Sequence, residues 1–302
     1  MLIDGIIPLL KPSGLTSHDC VARLRKLLGT KKVGHTGTLD PAVTGVLPIC
    51  INRATKVAEY MSDYNKTYEA VVSLGSSTTT EDQTGEIIET TPVGELSKSE
   101  INAVLKEFVG DLTQVPPMYS AVKVNGKKLY EYARAGETVE RPSRKVHIHS
   151  IHLLSQITRD ESGSVTFKVR VSCSKGTYIR TLAVDIGKRL GLPAHMASLV
   201  RVQSGPFNIE DSISFEELED AVKNDTLTSH LLPIEKALKI FPSVTVSAQE
   251  EKLVLNGSVL QETEYLSNPR TAVYNEQGEC LAIYKPHPTR PGWVKPEKVI
   301  KI

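Results

Sequence analysis

Val33-Gly34-His35-Thr36-Gly37-Thr38-Leu39-Asp40-Pro41 places an imidazole, two hydroxyls and a carboxylate in one glycine-containing turn. Pro41 biases Asp40 toward extended backbone, which presents its carboxylate on a defined loop and bars a helix there. Gly34 and Gly37 permit positive φ and close approach of a ligand to the backbone. Directly behind, Val46-Leu47-Pro48-Ile49-Cys50-Ile51 is a short apolar run that reads as a buried strand. Reactive groups on a loop anchored by a buried strand are the usual construction of an enzyme site.

Three familiar chemistries fail at this segment. Gly29-Thr30-Lys31-Lys32-Val33-Gly34-His35-Thr36 has phosphate-loop spacing, but His35 stands where the phosphate-binding lysine belongs. Gly37 and Pro41 also interrupt the helix that such a loop must feed. His35 and Asp40 lack a local third ligand for zinc. No Gly-x-Ser-x-Gly elbow occurs for an Asp–His pair to serve. An aspartate acting directly, as nucleophile or base and without metal, remains.

Outward from this segment the chain alternates helix and strand signals without a βαβ cadence. Ser97-Lys98-Ser99-Glu100 is a capping box before Ile101, Val104, Leu105 and Phe108, with a stop at Gly110. Ser214 to Glu217 and Ser247 to Glu250 open two further helices, and Thr16 or Ser17 caps one carrying Val21, Leu24 and Leu28 inward. Val165, Phe167, Val169 and Val171 alternate with polar residues, as do Tyr68, Ala70, Val72 and Leu74, the signature of half-buried strands. These patterns predict an α+β fold with a mixed, largely antiparallel sheet and flanking helices.

At 302 residues, with 40% hydrophobic and 24% charged, the chain is large enough for one substantial domain and a small one. A catalytic domain over 1–238 and a small unit over 239–302 are expected, with a hydrophilic, basic insertion at about 121–152. Asn125-Gly126 marks a hairpin within that insertion. His147, His149 and His152 interleave with apolar residues and read as a strand with a polar face rather than as metal ligands. Cys20, Cys50, Cys173 and Cys280 are widely spaced and suggest neither disulfides nor zinc. No apolar run reaches membrane-spanning length and no signal peptide is evident, so a cytoplasmic protein is expected.

Net charge is only +1, yet basic residues cluster. Arg23, Arg25, Lys26, Lys31 and Lys32 form one group, and Lys123, Lys127, Lys128, Arg134, Arg141, Arg144 and Lys145 a second. Lys285, Arg290, Lys295, Lys298 and Lys301 form a third. In a nearly neutral chain this distribution suits a phosphate backbone.

Gly34 to Pro41, with Thr44-Gly45 and Leu47-Pro48 behind it, resembles the signature of the tRNA pseudouridine-55 synthases, the TruB family. Lys11-Pro12-Ser13-Gly14-Leu15-Thr16-Ser17, Ala54-Thr55-Lys56, Lys66-Thr67-Tyr68, Val115 to Ala121 and Cys173 to Arg180 resemble further blocks in the family's order. The match departs at Ala42-Val43, where the family carries a larger apolar residue and then alanine.

The resemblance implies a pseudouridine synthase fold, a C-terminal PUA-like barrel and an insertion that clamps RNA. It implies isomerisation of uridine in the T loop with the base flipped out, and no cofactor. Asp40 would be the reacting group, Arg180 its ion-pair partner and Tyr68 a stacking platform. His35 would fill the space of the extruded uridine. Lys56 would be a second basic residue near the site, Leu199 would line the base, and Tyr178, just before Arg180, would bind the substrate. Lys127, Lys128, Arg141 and Arg144 would hold phosphates of the T-arm stem-loop. The expected protein is a monomer with no obligate protein partner. Two alternatives share the scaffold: a non-catalytic RNA-binding or RNA-folding module, and a guide-RNA-dependent pseudouridylase.

Overall fold

A computed structural model describes residues 3–161, 163–263 and 268–301. Its central sheet is built from β1 (Gly5–Lys11), β2 (Thr44–Ile51), β3 (Lys66–Leu74), β4 (Gly110–Gln114), β5 (Arg144–Leu153), β6 (Val165–Cys173) and β7 (Ala194–Ser204). Their order across the sheet is β1-β2-β7-β3-β6-β5-β4. β2 and β7 run parallel, pairing Thr44 with Val200 and Gly45 with Arg201, and the other neighbours on this path are antiparallel. The mixed, largely antiparallel α+β architecture is therefore as expected.

Periodicity explains which strand is buried how far. β2 is apolar almost throughout and is buried from Gly45 to Ile51, flanked by β1 and β7. β6 alternates, and Val165, Phe167, Val169 and Val171 face the core. Helix α1 (Ser17–Leu28) is capped by Thr16, whose hydroxyl accepts from Asp19 N while Asp19 answers at the Thr16 amide. Ser97 closes the same box with Glu100 at α2 (Lys98–Glu107). α3 (Ile179–Arg189) follows Tyr178 and packs on β7.

The projecting insertion is shorter than expected. Residues 144–153 form β5, paired with β4 on one side and β6 on the other, with Val146, Ile148 and Ile151 buried. Their apolar content binds them to the sheet, so the projection covers only about 121–143. It holds a hairpin, Lys123–Val124 against Lys127–Lys128, and the short helix Leu129–Arg134. Asn125 and Gly126 both take positive φ, 51° and 82°, as a two-residue hairpin turn requires. His147, His149 and His152 lie on β5, where His147 Nδ1 sits 2.7 Å from Asp111 Oδ1.

Towards the C-terminus a second sheet of five strands curls into a PUA-like half-barrel, in the order Ser243–Thr245, Thr271–Tyr274, Cys280–Pro286, Trp293–Val299, Leu260–Gln261. Val246, Val254, Val273, Leu281, Tyr284 and Val294 give it a core of its own. Among the described residues no helix is long and apolar enough to cross a membrane.

Candidate active site

The loop carrying Asp40 is fastened from several sides. Ser17, buried at the start of α1, accepts from Leu39 N (2.9 Å) and donates to Leu39 O (3.3 Å). Lys11, buried on β1, donates from Nζ to Pro41 O (3.1 Å) and Val43 O (2.7 Å). Arg201, 1% exposed, donates from Nε to Val46 O (2.8 Å) and from Nη2 to Gly37 O (3.2 Å). Its backbone lies so close to Gly45, at φ +115°, that a Cβ there would sit 2.2 Å from Arg201 O. Two buried cations therefore spend their charge on loop and strand carbonyls, which fixes Asp40 without neutralising it.

Asp40 stands in a pocket of about 270 Å3 whose lining includes Lys66, Tyr68, Tyr178, Arg180, Leu199 and Arg201. Arg180 Nη2 lies 3.0 Å from Asp40 Oδ2, with the Arg180 side chain 5% exposed and that of Asp40 43%. The guanidinium is shared. Nη2 also donates to Tyr119 O at 2.8 Å, and Nη1 donates to Thr80 O at 3.0 Å and lies 3.7 Å from Asp82 Oδ2. The guanidinium is thus a clamp joining two carboxylates and two backbone carbonyls. Partial burial pushes the Asp40 carboxyl above the usual carboxylate range and Asp82 adds to that, while Arg180 and Lys11 pull it back.

Tyr68 is 9% exposed on β3 and sits opposite Arg201 in the sheet register. Burial raises its phenol pKa, and a hydrogen bond with Arg201 opposes that rise. Arg144 marks the rim of the pocket, its guanidinium carbon 5.2 Å from the centre of the Tyr178 ring. On the projection Lys127 pairs with Glu137 and covers Tyr132, while Lys128 lies over Tyr130. Arg141 donates to Pro116 O, below the projection.

Of the residues expected around the reacting base, two lie apart from the pocket lining. His35 ends the short strand Val33–His35 and accepts weakly from Gly37 N at 3.4 Å, with its pKa lowered chiefly by burial. Lys56 is engaged elsewhere, because its ammonium donates to Val299 O (3.0 Å) and Ile300 O (3.2 Å) of the C-terminal unit. It acts as a tie between the two sheets rather than as a basic residue of the pocket. Sequence reasoning missed Asp82, Lys66, Lys11 and Arg201. Lys66 had a signal, lying two residues from Tyr68 on an alternating strand. Asp82, within Thr79 to Gly85, had none, since a polar stretch of that kind reads as an exposed turn.

Residues 25–179 match the TruB family pseudouridylate synthase N-terminal domain and residues 180–239 the tRNA pseudouridylate synthase B C-terminal domain. The chain is 56% identical over 301 residues to tRNA pseudouridine synthase B of Halalkalibacterium halodurans, covering 99% of this chain and 98% of that one. It is 53% identical over 304 residues to the protein of that name from Bacillus subtilis, with the same coverage, 99% and 98%. A solved Cbf5-Nop10-Gar1 complex contains a similar chain at TM-score 0.74 and 30% identity, covering 98% of this chain and 84% of that one. With both family domains matched in order behind one clamped aspartate, and such identity along nearly its whole length, the chain belongs to the TruB family of pseudouridylate synthases.

Proposed function

We propose that this chain isomerises uridine to pseudouridine at position 55 in the T loop of tRNA, with Asp40 as the reacting carboxylate. The observation that carries the residue assignment is the Asp40–Arg180 pair, held in a pocket walled by an aromatic ring. Isomerisation exchanges an N-glycosidic bond for a carbon one within a single nucleoside. No redox change occurs and no group leaves for another molecule, so the balance calls for no cofactor. Asp40 faces the ribose, and Arg180 orients it and favours its ionised form. Tyr68 offers a stacking face and Leu199 an apolar wall for a base taken out of the T loop, at a cost of a few kcal/mol of unstacking. Arg144 at the rim and Lys127, Lys128 and Arg141 nearby contact phosphates of the T arm, which position the RNA without specifying its sequence.

The catalytic domain spans 1–238 and the RNA-binding half-barrel 239–302, and the chain works as a monomer in the cytoplasm, where tRNA is found. Relatives named tRNA pseudouridine synthase B match at more than half identity over nearly their full length, which favours action on bare tRNA over action guided by a second RNA and partner proteins. The test is to incubate the purified chain with unmodified tRNA transcript and map pseudouridine. Product at position 55 is expected, and no product without added protein partners would overturn the reading.

A further inference from the structure

Lys66 is the cation of the pocket that the reading above leaves without a task. It lies two residues before Tyr68 on β3, so both side chains leave the same face of the strand. It lines the pocket, is 7% exposed, and packs its Cε beneath Gly37 of the Asp40 loop, 3.9 Å from where a Cβ would stand. Its ammonium donates to Ser62 O and Tyr64 O, both at 2.7 Å. An ammonium has three N–H donors, and among the described residues the third has no partner.

Charge balance points the same way. Arg180 answers Asp40 and Asp82, whereas among the described residues neither Lys66 nor Arg201 forms an ion pair. Both lie beside Tyr68, one on its own strand and one opposite it in register. The Tyr68 side of the pocket therefore holds two buried positive charges, neither paired with a carboxylate among the described residues. Such a wall favours a ligand group that becomes negative there, and most strongly one whose charge grows during the reaction.

We propose that Lys66 is a catalytic residue, donating its third N–H to a carbonyl oxygen of the flipped uracil and stabilising the negative charge the ring gains as the glycosidic bond breaks. The assignment rests on the isomerase reading above. The C1′–N1 bond breaks with its electron pair left on the uracil, while Asp40 compensates the electron-poor ribose carbon. The ring turns, C5 bonds to C1′, the C5 proton passes to solvent water, and N1 takes up a proton from solvent. Atoms and charge balance without a co-reactant.

Burial lowers the Lys66 ammonium to about 8, and Arg201 on β7 and Lys175 add to the effect. Cys173 on β6 and Asp63 oppose it, but Cys173 is itself pushed up to about 11 and Asp63 is paired with Lys175 at 2.6 Å. Lys66 is thus the pocket group that loses charge in mildly alkaline solution.

Wild type, Lys66→Met and Lys66→Arg should be compared on tRNA by single-turnover rate from about pH 6 to about pH 10, beside tRNA affinity by filter binding. Lys66→Met should lose about 100-fold in rate with affinity nearly unchanged, the scale of one lost donor to a developing anion. The wild-type rate should fall as pH rises through about 8, a fall that Lys66→Arg lacks because a guanidinium stays charged. A Lys66→Met rate within about threefold of wild type would overturn the proposal, because a donor to a developing anion is worth far more. A loss confined to affinity would overturn it too, assigning the ammonium to a phosphate. Should Lys66→Met not fold, the two pH profiles decide, and identical alkaline limbs overturn the proposal. Absence of pseudouridine from the wild-type reaction would overturn the isomerase reading itself, which separates the two failures.

Discussion

Asp40 is held ready by groups that differ in what they contribute, and substitutions should separate them. Asp40→Asn should abolish pseudouridine formation while leaving tRNA affinity nearly intact, checked by product mapping and filter binding. Its stability should move the other way. The folded pKa of Asp40 is raised by burial above its unfolded value, so the ionised carboxylate costs folding free energy at neutral pH. That cost fades as pH falls through the folded pKa. Asp40→Asn should therefore melt no lower than wild type at neutral pH, with Asp82 still facing Arg180 at 3.7 Å. For the same reason activity should fail on the acid side at a higher pH than an ordinary aspartate near about 3.9 would give. Arg180→Lys should be severely impaired in turnover, because one ammonium cannot reach Asp40, Asp82, Thr80 O and Tyr119 O together. Near-wild-type turnover of Arg180→Lys would show the clamp to be dispensable.

At the scale of elements, α1 is a support for the Asp40 loop as well as a core helix. Thr16 caps it, and the neighbouring Ser17 is released from capping to bind both polar groups of Leu39. Ser17→Ala leaves that buried amide and carbonyl unpaired, at a cost of about 1–3 kcal/mol in melting stability. It should also lower turnover, because the loop loses its register with Arg180. The projection makes a different prediction. Its cations already have partners in Glu137, Tyr130, Tyr132 and Pro116 O, so their charge is offered from braced positions. Replacing Lys127, Lys128, Arg141 and Arg144 by alanine should weaken tRNA binding and flatten its log–log salt slope by roughly 0.7 to 0.9 per lost phosphate contact. Arg144, stacked at Tyr178, should add a turnover defect that the other three lack. The basic group near Arg23 is partly structural, since Arg23 pairs with Glu219 and Arg25 donates to Val33 O.

Across the whole molecule, the C-terminal half-barrel is docked by chemistry rather than by linker alone. Tyr60 meets Phe241 edge-on at 5.3 Å and lies under Arg270, while Glu297, drawn down to about 2 chiefly by Arg270, also takes Lys285. Lys56 reaches across to the last strand. Lys56→Met together with Tyr60→Ala should loosen that docking, read as faster proteolysis between the two sheets with the catalytic core intact. Unchanged cleavage would mean that the apolar contacts suffice.

The sequence by itself determined what depends on neighbours along the chain. Capping at Thr16, Ser97, Ser214 and Ser247, the Asn125-Gly126 turn, the alternation of β3 and β6 and the loop that presents Asp40 are all local, set by backbone preference and side-chain period. Family motifs extended that reach to Arg180 and Tyr68. Only the tertiary structure decided the rest. It drew residues 144–153 into the sheet, turned Lys56 toward the C-terminal unit and brought Asp82 to Arg180 across 98 residues of chain. It also buried Lys11, Lys66 and Arg201 beneath a single loop. A charged residue reads as surface in a sequence, because desolvation is unfavourable unless carbonyls or counter-charges converge on it. That convergence exists only once distant strands have packed.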